Sequence, residues 1–468
     1  MKAEPMHYVS TRGTAPELSF HEAMLTGLAR DGGLYVPSDI PVMAVNEIRA
    51  LAGLPYEEIA FRVMRPYLGD SFTDDEFRED IAAAYAGFAH PARAPLKQLD
   101  ANQFLLELFH GPTRAFKDFA MQLIGRLFQR ELTRRRARVT IVGATSGDTG
   151  SAAIEAFRGL DAVDVFILFP HGRVSEVQRR QMTTPTESNV HALALHGHFD
   201  DCQARVKDMF NDFTFRDEVG LAGVNSINWA RVLAQVVYYF SAATTLGAPD
   251  RAVSFTVPTG NFGDIFAGQI ARRMGLPIDK LVVATNQNDI LHRCLTTGAY
   301  HTSEVHPSIS PSMDIQVSSN FERALFHAYD RDGRAVAQLM DELKGQGGFS
   351  VSQGALQALR DTYQSGRASE DETSATIAAV RNATGELLCP HSAVGVKVAQ
   401  EVADRRVPMI TLATAHPAKF PAAVEAASGV HPPLPPHMET LYERPERVTG
   451  IANDLAALET HIRENRAA

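Results

Sequence analysis

The sequence is short of several residue types, and each shortage narrows the classes of protein that it can encode. Its 468 residues include only three cysteines, Cys202, Cys294 and Cys389. No two of them are close enough for a zinc knuckle or a C-x-x-C redox motif, so a reducing, intracellular compartment fits best. Residues 1–5 precede no apolar stretch, so no secretory signal is predicted and we expect a cytoplasmic protein.

Long hydrophobic runs and an excess of positive charge are also absent. The longest uncharged run lies between Arg231 and Asp250 and is interrupted by polar residues, which favours a buried helix over a membrane span. Lysine and arginine together number 45 against 55 acidic residues, a formal net charge of −10. That balance disfavours a nucleic-acid partner. We expect a soluble protein that binds neither nucleic acid nor a membrane.

The apolar pattern changes once along the chain. Apolar residues recur at helical spacing in residues 18–29, 45–52, 56–68 and 74–84, which predicts a mainly helical N-terminal region. After residue 95, short runs rich in Val, Ile and Phe alternate with loops and helical stretches. Strands are predicted at 138–142, 165–169, 254–257 and 409–413, and this alternation predicts parallel sheet covered by helices. Residues 365–373 are predicted as an exposed linker.

Lysine is scarce, which makes one lysine informative. Only eight of the 45 basic residues are lysine, and Lys117 is flanked by Ala115, Phe116, Phe119 and Ala120. An apolar setting disfavours the ammonium form and frees the amine for Schiff-base chemistry, which arginine cannot perform. The alternative is a lysine at a helix start whose amine reaches water.

Two glycine-rich loops follow predicted strands. Residues 143–151 place Thr145, Ser146, Gly147, Asp148 and Thr149 before a helix predicted to begin near Ala152. Glycines and hydroxyls at a helix N-terminus suit a small anion such as a carboxylate. The alternative is that the hydroxyls only cap the helix.

The second loop, residues 258–264, has the same plan. It contains Gly260, Asn261, Phe262, Gly263 and Asp264, with no lysine or arginine, so backbone N–H groups would bind an anion such as a cofactor phosphate. A capped turn is again the alternative.

The strand predicted at 409–413 leads to Thr414, whose hydroxyl can form one hydrogen bond to a ring nitrogen, although simple helix capping is the favoured interpretation from pattern alone. His191, His196 and His198 lack carboxylate or cysteine partners at metal-ligand spacing, so no metal site is predicted.

Taken together, these motifs resemble the threonine synthase family. The resemblance rests on F-H-G-P-T-R-A-F-K-D-F around Lys117, on G-A-T-S-G-D-T-G-S-A-A, on P-T-G-N-F-G-D and on T-A-H-P-A-K-F, in this order. Residues 8–13, 31–37, 311–315 and 318–323 look like further signatures of the family. The resemblance covers nearly the whole chain.

The resemblance implies the α/β fold of pyridoxal-phosphate enzymes of fold type II, with two parallel-sheet domains, helices on both faces and an N-terminal mainly helical domain. The implied division is residues 1–95 for the helical domain, 96–124 and 231–468 for the large cofactor domain, and 125–230 for the small α/β domain. The implied cofactor is pyridoxal 5'-phosphate. The implied reaction converts O-phospho-L-homoserine and water to L-threonine and phosphate, by a monomer or homodimer.

The resemblance also implies residue roles. Lys117 would be the catalytic Schiff-base lysine, and Gly260, Asn261, Phe262, Gly263 and Asp264 would hold the cofactor phosphate. Thr414 would face the pyridine nitrogen, and Thr145, Ser146, Gly147, Asp148 and Thr149 would bind the substrate carboxylate. The leaving phosphate has six candidate ligands: Arg173, Ser175, Arg180, Asn320, Arg323 and Lys419.

Two other functions remain open at this point. One is another pyridoxal-phosphate lyase, such as a serine or threonine dehydratase. The other is a phosphate-ligand sensor of the same fold without catalysis.

Overall fold

The computed structural model describes residues 6–467 of the chain. The prediction about a secretory signal concerns residues 1–5 and lies outside these residues. No helix within the described part of the chain is both long enough and apolar enough to cross a membrane.

The elements are numbered in chain order. The strands are β1 (Tyr8–Ser10), β2 (Tyr35–Pro37), β3 (Leu96–Gln98), β4 (Gln103–Glu107), β5 (Val139–Ala144), β6 (Val163–Pro170), β7 (Val190–Leu195), β8 (Leu221–Ala222), β9 (Val253–Pro258), β10 (Ile278–Thr285), β11 (Ala299–His301), β12 (Gly348–Ser350), β13 (Tyr363–Arg367), β14 (Met409–Ala413) and β15 (Thr449–Ile451). The helices are α1 (Phe20–Thr26), α2 (Val45–Arg49), α3 (Tyr56–Met64), α4 (Asp74–Tyr85), α5 (Lys117–Arg135), α6 (Asp148–Phe157), α7 (Glu176–Thr183), α8 (Phe199–Asn211), α9 (Phe213–Val219), α10 (Trp229–Thr245), α11 (Gly263–Arg273), α12 (Ile290–Thr297), α13 (Phe321–Ala328), α14 (Gly333–Gln346), α15 (Gln353–Thr362), α16 (Glu370–Thr384), α17 (Pro390–Val402), α18 (Pro421–Ser428) and α19 (Leu455–Asn465).

The N-terminal region is mainly helical, and the four helices predicted there are confirmed as α1 to α4. The sequence did not predict the antiparallel pair β1 and β2, which are only three residues each. Helix α4 begins at a capping box, in which the Thr73 hydroxyl accepts the Glu76 N–H and the Glu76 carboxylate accepts the Thr73 N–H. Its buried face, with Phe77 and Ile81, packs into the main hydrophobic core.

The larger sheet has six strands in the order β13-β10-β9-β14-β4-β3. All neighbours are parallel except the edge pair β3 and β4. The uncharged run after Arg231 forms helix α10, which is buried along almost its whole length, as the sequence predicts.

The smaller sheet has five parallel strands in the order β15-β7-β6-β5-β8. Strand β6 is buried at every position, as a central parallel strand covered on both faces must be. The predicted parallel α/β architecture is therefore present in both sheets.

The strands of the larger sheet lie within residues 96–124 and 231–468, and those of the smaller sheet lie within residues 125–230 except for β15. The division into domains stays a prediction. Strand β15 pairs with β7, whereas the predicted division placed it in the large domain with the rest of 231–468. We therefore propose the same three domains with residues from 449 onward assigned to the small one. A three-residue strand carries no signal in the sequence for the sheet it joins.

The predicted exposed linker at 365–373 is wrong. Residues of β13 pair in parallel with β10 from Leu281 to Thr285, and α16 begins at Glu370 after a Ser369 cap. The polar composition of the segment reflects an edge strand and a helix start, both of which tolerate exposed polar residues.

Candidate active site

Lys117 is the first residue of α5, and its side chain is buried. The residue is 9% exposed, which disagrees with the alternative of a lysine whose amine reaches water. Burial lowers the pKa of its ammonium group; Asp148 opposes this effect, and Arg231 and Lys419 add to it. A neutral amine therefore forms at lower pH than in an exposed lysine, as covalent attachment to a carbonyl requires.

The loop after β5 is organised by one hydroxyl. Thr145 Oγ1 accepts the N–H groups of Gly147 and Gly150, each at 2.9 Å. Gly147 has φ of 142°, a conformation that L side chains rarely adopt, and Gln178 occupies the space where a Cβ would stand.

Helix α6 begins at Asp148, so the predicted start near Ala152 is wrong. The unusual conformation of Gly147 turns the chain early, and an acidic residue is favoured in the first turn of a helix. Asp148 and Thr149 thus lie in the first turn, where backbone N–H groups have no acceptor within the helix. These amides are positioned to bind an anion.

Asp148 lies between two lysines. Its Oδ1 is 2.8 Å from Lys419 Nζ, and its Oδ2 is 3.7 Å from Lys117 Nζ. Gln178 Nε2 donates to Oδ1 at 2.8 Å. Burial raises the pKa of the Asp148 carboxyl, but the two lysines and these hydrogen bonds outweigh burial and hold it far below its usual range. Asp148 is therefore ionised at every physiological pH.

The loop after β9 is built for close backbone approach. A Cβ on Gly260 would stand 2.6 Å from the Ser312 carbonyl oxygen, and Ser318 donates its hydroxyl to the Gly260 carbonyl at 2.6 Å. The positive φ falls on Phe262, at 64°. Gly263 begins α11, so the first-turn N–H groups of this helix also point out of the loop.

Asp264 contributes to this loop differently from its neighbours. Its buried carboxylate accepts hydrogen bonds from the hydroxyls of Tyr238 and Tyr239 on α10. Burial raises its pKa to about 7. Because a carboxylate repels phosphate, Asp264 can serve an anion in this loop only through its backbone N–H.

Thr414 follows β14 and is joined directly to the segment before Lys117. The Phe116 N–H donates to the Thr414 carbonyl at 2.8 Å, and Ala115 forms an antiparallel bridge with Ala415. Thr414 is 6% exposed. Two predicted site segments, distant in sequence, are thus brought together.

The structure places four further side chains around Lys117 and Asp148, in positions that the sequence motifs do not predict. They are Gln178, Arg231, His391 and Lys419. Arg231 is 3% exposed and donates to the Val224 carbonyl; its Nε has no partner among the described residues. His391 Nε2 accepts the Ser312 N–H at 3.2 Å, and burial lowers its pKa to about 4. No local sequence pattern indicates that these side chains meet, because each reaches the site from a different element.

Among the six candidates for the leaving phosphate, Arg323 contacts Asn320 and Ser175 contacts Lys419. Arg323 donates to the Tyr35 and Ile227 carbonyls and to Asn320, and Asn320 in turn donates to Ser226 and Asn261. The side chains of Arg323 and Asn320 are thus engaged in hydrogen bonds with neighbouring segments of the protein. Ser175 caps α7 and donates to the Lys419 carbonyl.

The three histidines considered as metal ligands, His191, His196 and His198, lie in strand β7 or just after it. His191 stacks on Phe166 at 4.2 Å between ring centroids. Across residues 6–467, no group of three or more His, Cys, Asp or Glu side chains is arranged to hold a metal ion.

Three family models match the chain in order along its length. They are described as Threonine synthase N terminus, matching residues 7–85, Pyridoxal-phosphate dependent enzyme, matching 89–342, and Threonine synthase, C-terminal, matching 392–462.

Individual relatives agree with these models. The chain is 55% identical to a threonine synthase of Pseudomonas aeruginosa, with 98% of each chain covered. It is similar to the solved PLP-bound threonine synthase of Brucella melitensis, with 58% identity, a TM-score of 0.96, and 99% of this chain and 100% of that one covered. It is also similar to yeast threonine synthase, with 40% identity, a TM-score of 0.92 and 98% of each chain covered.

Proposed function

This chain belongs to the threonine synthase family, and we propose that it converts O-phospho-L-homoserine and water to L-threonine and phosphate at the site around Lys117. It is a pyridoxal 5'-phosphate-dependent lyase. The observation that carries the site assignment is a buried lysine of lowered pKa whose amine lies 3.7 Å from Asp148, in the loop of residues 143–151 (the Asp148 loop). Its chain neighbour Phe116 donates its N–H to the Thr414 carbonyl.

The residues present fit the cofactor. Glycine at position 260 lets the loop lie against the Ser312 carbonyl oxygen, where a Cβ would clash, and the first turn of α11 supplies backbone N–H groups for a phosphate. We assign Gly260, Asn261, Phe262 and Gly263 to that phosphate, with Asp264 taking part through its N–H. Thr414 is assigned to the pyridine nitrogen as a neutral hydroxyl partner.

When bound, the cofactor supplies an electron sink for negative charge at the substrate α-carbon. Lys117 Nζ provides the covalent anchor. With its amine free, the same nitrogen would remove the proton at Cα and move protons between neighbouring carbons as phosphate leaves Cγ and water adds at Cβ. Its lowered pKa favours the neutral amine that a base requires.

The Asp148 loop serves the substrate carboxylate. Its donors are the backbone amides and hydroxyls of Ser146 and Thr149 at the start of α6, and Gly147 supplies the turn that exposes them. Thr145 Oγ1 orders the loop by accepting the N–H groups of Gly147 and Gly150, and its hydroxyl can still donate its own proton to a carboxylate oxygen. Asp148 itself is paired with lysines, so we give its side chain an electrostatic role and its N–H a binding role.

The surroundings in which the chain works are also proposals. The three cysteines are buried and free, which suits a reducing compartment, and we propose the cytoplasm. We propose a monomer or a homodimer.

The reaction is tested by its products. Purified enzyme supplied with O-phospho-L-homoserine should release phosphate and L-threonine in equal amounts, and should release little ammonia from L-serine or L-threonine. Ammonia as the main product from L-serine, with no phosphate from O-phospho-L-homoserine, would favour the dehydratase. Saturable binding of O-phospho-L-homoserine without either product would favour the sensor.

A further inference from the structure

Lys419 is a fully buried lysine whose contacts are all internal. It is 0% exposed, and its Nζ lies 2.8 Å from Asp148 Oδ1 and donates to the Thr113 carbonyl at 2.8 Å. Thr113 is held in turn by Asp118, which accepts its N–H and its hydroxyl at 2.9 and 2.7 Å. The Lys419 ammonium is therefore fixed in place between the Asp148 loop and the segment that leads to Lys117.

The two lysines contact Asp148 unequally. The Lys419 pair has hydrogen-bond length, whereas the Lys117 pair, at 3.7 Å, is longer than a hydrogen bond. A buried carboxylate needs a charged or hydrogen-bonded partner. If Lys419 were absent, Lys117 would be the only lysine paired with Asp148, and Asp148 would hold the proton on the Lys117 amine.

We propose that Lys419 is a positioning residue that neutralises Asp148 and so keeps the Lys117 amine free for attachment and proton transfer. The inference rests on the proposed function only in the role given to Lys117. The Asp148 and Lys419 pair then acts on Lys117 as a nearly neutral group. The site can hold a carboxylate beside the reacting amine without trapping its proton.

The test changes two of the five charged or titratable groups that face Lys117 and leaves the other three in place. From the elements packed around it these are Asp148 of α6, Arg231 of α10, Asp264 of α11, His391 of α17 and Lys419 of the loop after β14. Of these, the only charges that change in the variants below are Asp148 and Lys419.

The test measures the titration of Lys117 itself. The full chain, freed of cofactor, is acetylated with trace acetic anhydride across a pH series, and the extent at Lys117 is read by peptide mass spectrometry. Lys419→Met should raise the midpoint pH by about one unit or more, so that acetylation well below the midpoint falls about tenfold, because Asp148 then acts unopposed. Asp148→Asn should lower the midpoint.

The double variant Asp148→Asn with Lys419→Met removes both charges and should return the midpoint close to that of the parent protein. It also keeps the proposal testable if Lys419→Met alone does not fold, because the double variant removes both members of the closer charge pair together. A double variant whose midpoint departs from the parent as far as that of either single variant would overturn the proposal. Lys97→Met is the matched control, since Lys97 is half exposed and paired with Glu386.

Two further outcomes separate this inference from others. In one, Lys419→Met leaves the Lys117 midpoint unchanged, but inorganic phosphate protects the variant less well than the parent against acetylation. Lys419 is then a phosphate ligand, and the positioning role is overturned. Failure of the proposed function itself shows differently, as a parent enzyme that releases no phosphate from O-phospho-L-homoserine.

Discussion

Asp148 and Asp264 occupy nearly the same local position, yet their carboxyl groups have opposite properties. Each follows a parallel strand and a glycine-bearing loop, and each lies in the first turn of the next helix. Burial raises the pKa of both. Lysines outweigh burial at Asp148, whereas only tyrosine hydroxyls oppose it strongly at Asp264, whose pKa rises to about 7. The neighbours supplied by distant elements, rather than the loop motif, determine the charge.

This difference assigns separate tasks to the two loops. The Asp148 loop carries a fixed charge pair beside the reacting amine, which suits the chemistry of a substrate. The Gly260 loop, residues 258–264, offers backbone donors beside an acid whose raised pKa favours the protonated form below neutral pH, which suits a permanently held phosphate. Lys117 lies within electrostatic reach of both acids.

The largest effect is expected from removing Lys117, the group that both loops face. Lys117→Ala should lose the covalent cofactor and lower turnover by at least about 100-fold, since one nitrogen serves as anchor and as base. Phosphate release and the visible absorbance of the bound cofactor measure the two losses. Lys97→Ala should change neither, and a Lys117→Ala enzyme with near-parental turnover would remove Lys117 from the mechanism.

The next effect concerns backbone approach in the Gly260 loop. Gly260→Ala places a Cβ against the Ser312 carbonyl oxygen, and such overpacking costs about 1–3 kcal/mol. Cofactor affinity, measured by fluorescence titration, should fall about tenfold. Gly354→Ala is the matched control, because a Cβ there meets nothing within 4 Å; equal affinities in the two variants would reduce the Gly260 loop to a helix cap.

The opposite pKa shifts predict different dependences of stability on pH. Asp264 keeps its proton in the folded state up to about pH 7 but loses it near pH 4 when unfolded. The folded state therefore binds more protons between these values, and Asp264 lowers the free energy of unfolding as pH rises from 5 to 7. Asp264→Asn should gain on the order of 1–2 kcal/mol relative to the parent across that window.

Asp148 should show no such trend. Its folded pKa is lowered, so the stability that it contributes is present above its unfolded pKa near 4 and is lost only below it. In urea titrations at pH 5 and 7, the difference between Asp148→Asn and the parent should stay constant. A constant difference for Asp264→Asn as well would mean that Asp264 is ionised throughout.

The smallest effect is expected at Thr414, which is assigned to the cofactor ring. Thr414→Val removes one neutral hydrogen bond, worth about 1 kcal/mol, and should keep the cofactor bound with a shifted absorbance band. Thr414→Ser, which retains the hydroxyl, should keep the parental band. Identical spectra for both variants would place the Thr414 hydroxyl away from the ring.

The sequence predicts the parts of the site that lie within one segment. The buried Lys117, the two glycine loops and the strands before them could all be inferred, because their signals are local composition and order. The sequence pattern predicts the start of α6 near Ala152 instead of at Asp148. The early turn at Gly147 depends on Gln178, which packs against it from another helix.

What the sequence could not provide was the pairing between segments. The sequence indicates Lys419 only as a candidate phosphate ligand, because nothing near it in sequence points to Asp148 as its partner. The same reason applies to Arg231 and His391, and to β15, which is three residues long and joins a sheet formed some 250 residues earlier in the chain.

The most direct test of the site assignment is the covalent position of the cofactor. The cofactor-loaded enzyme is reduced with borohydride and digested, and the pyridoxyl-bearing peptide is sequenced by mass spectrometry. We expect the pyridoxyl label on Lys117, the buried lysine of lowered pKa. A label on Lys419, the other lysine within reach of Asp148, would contradict the site assignment.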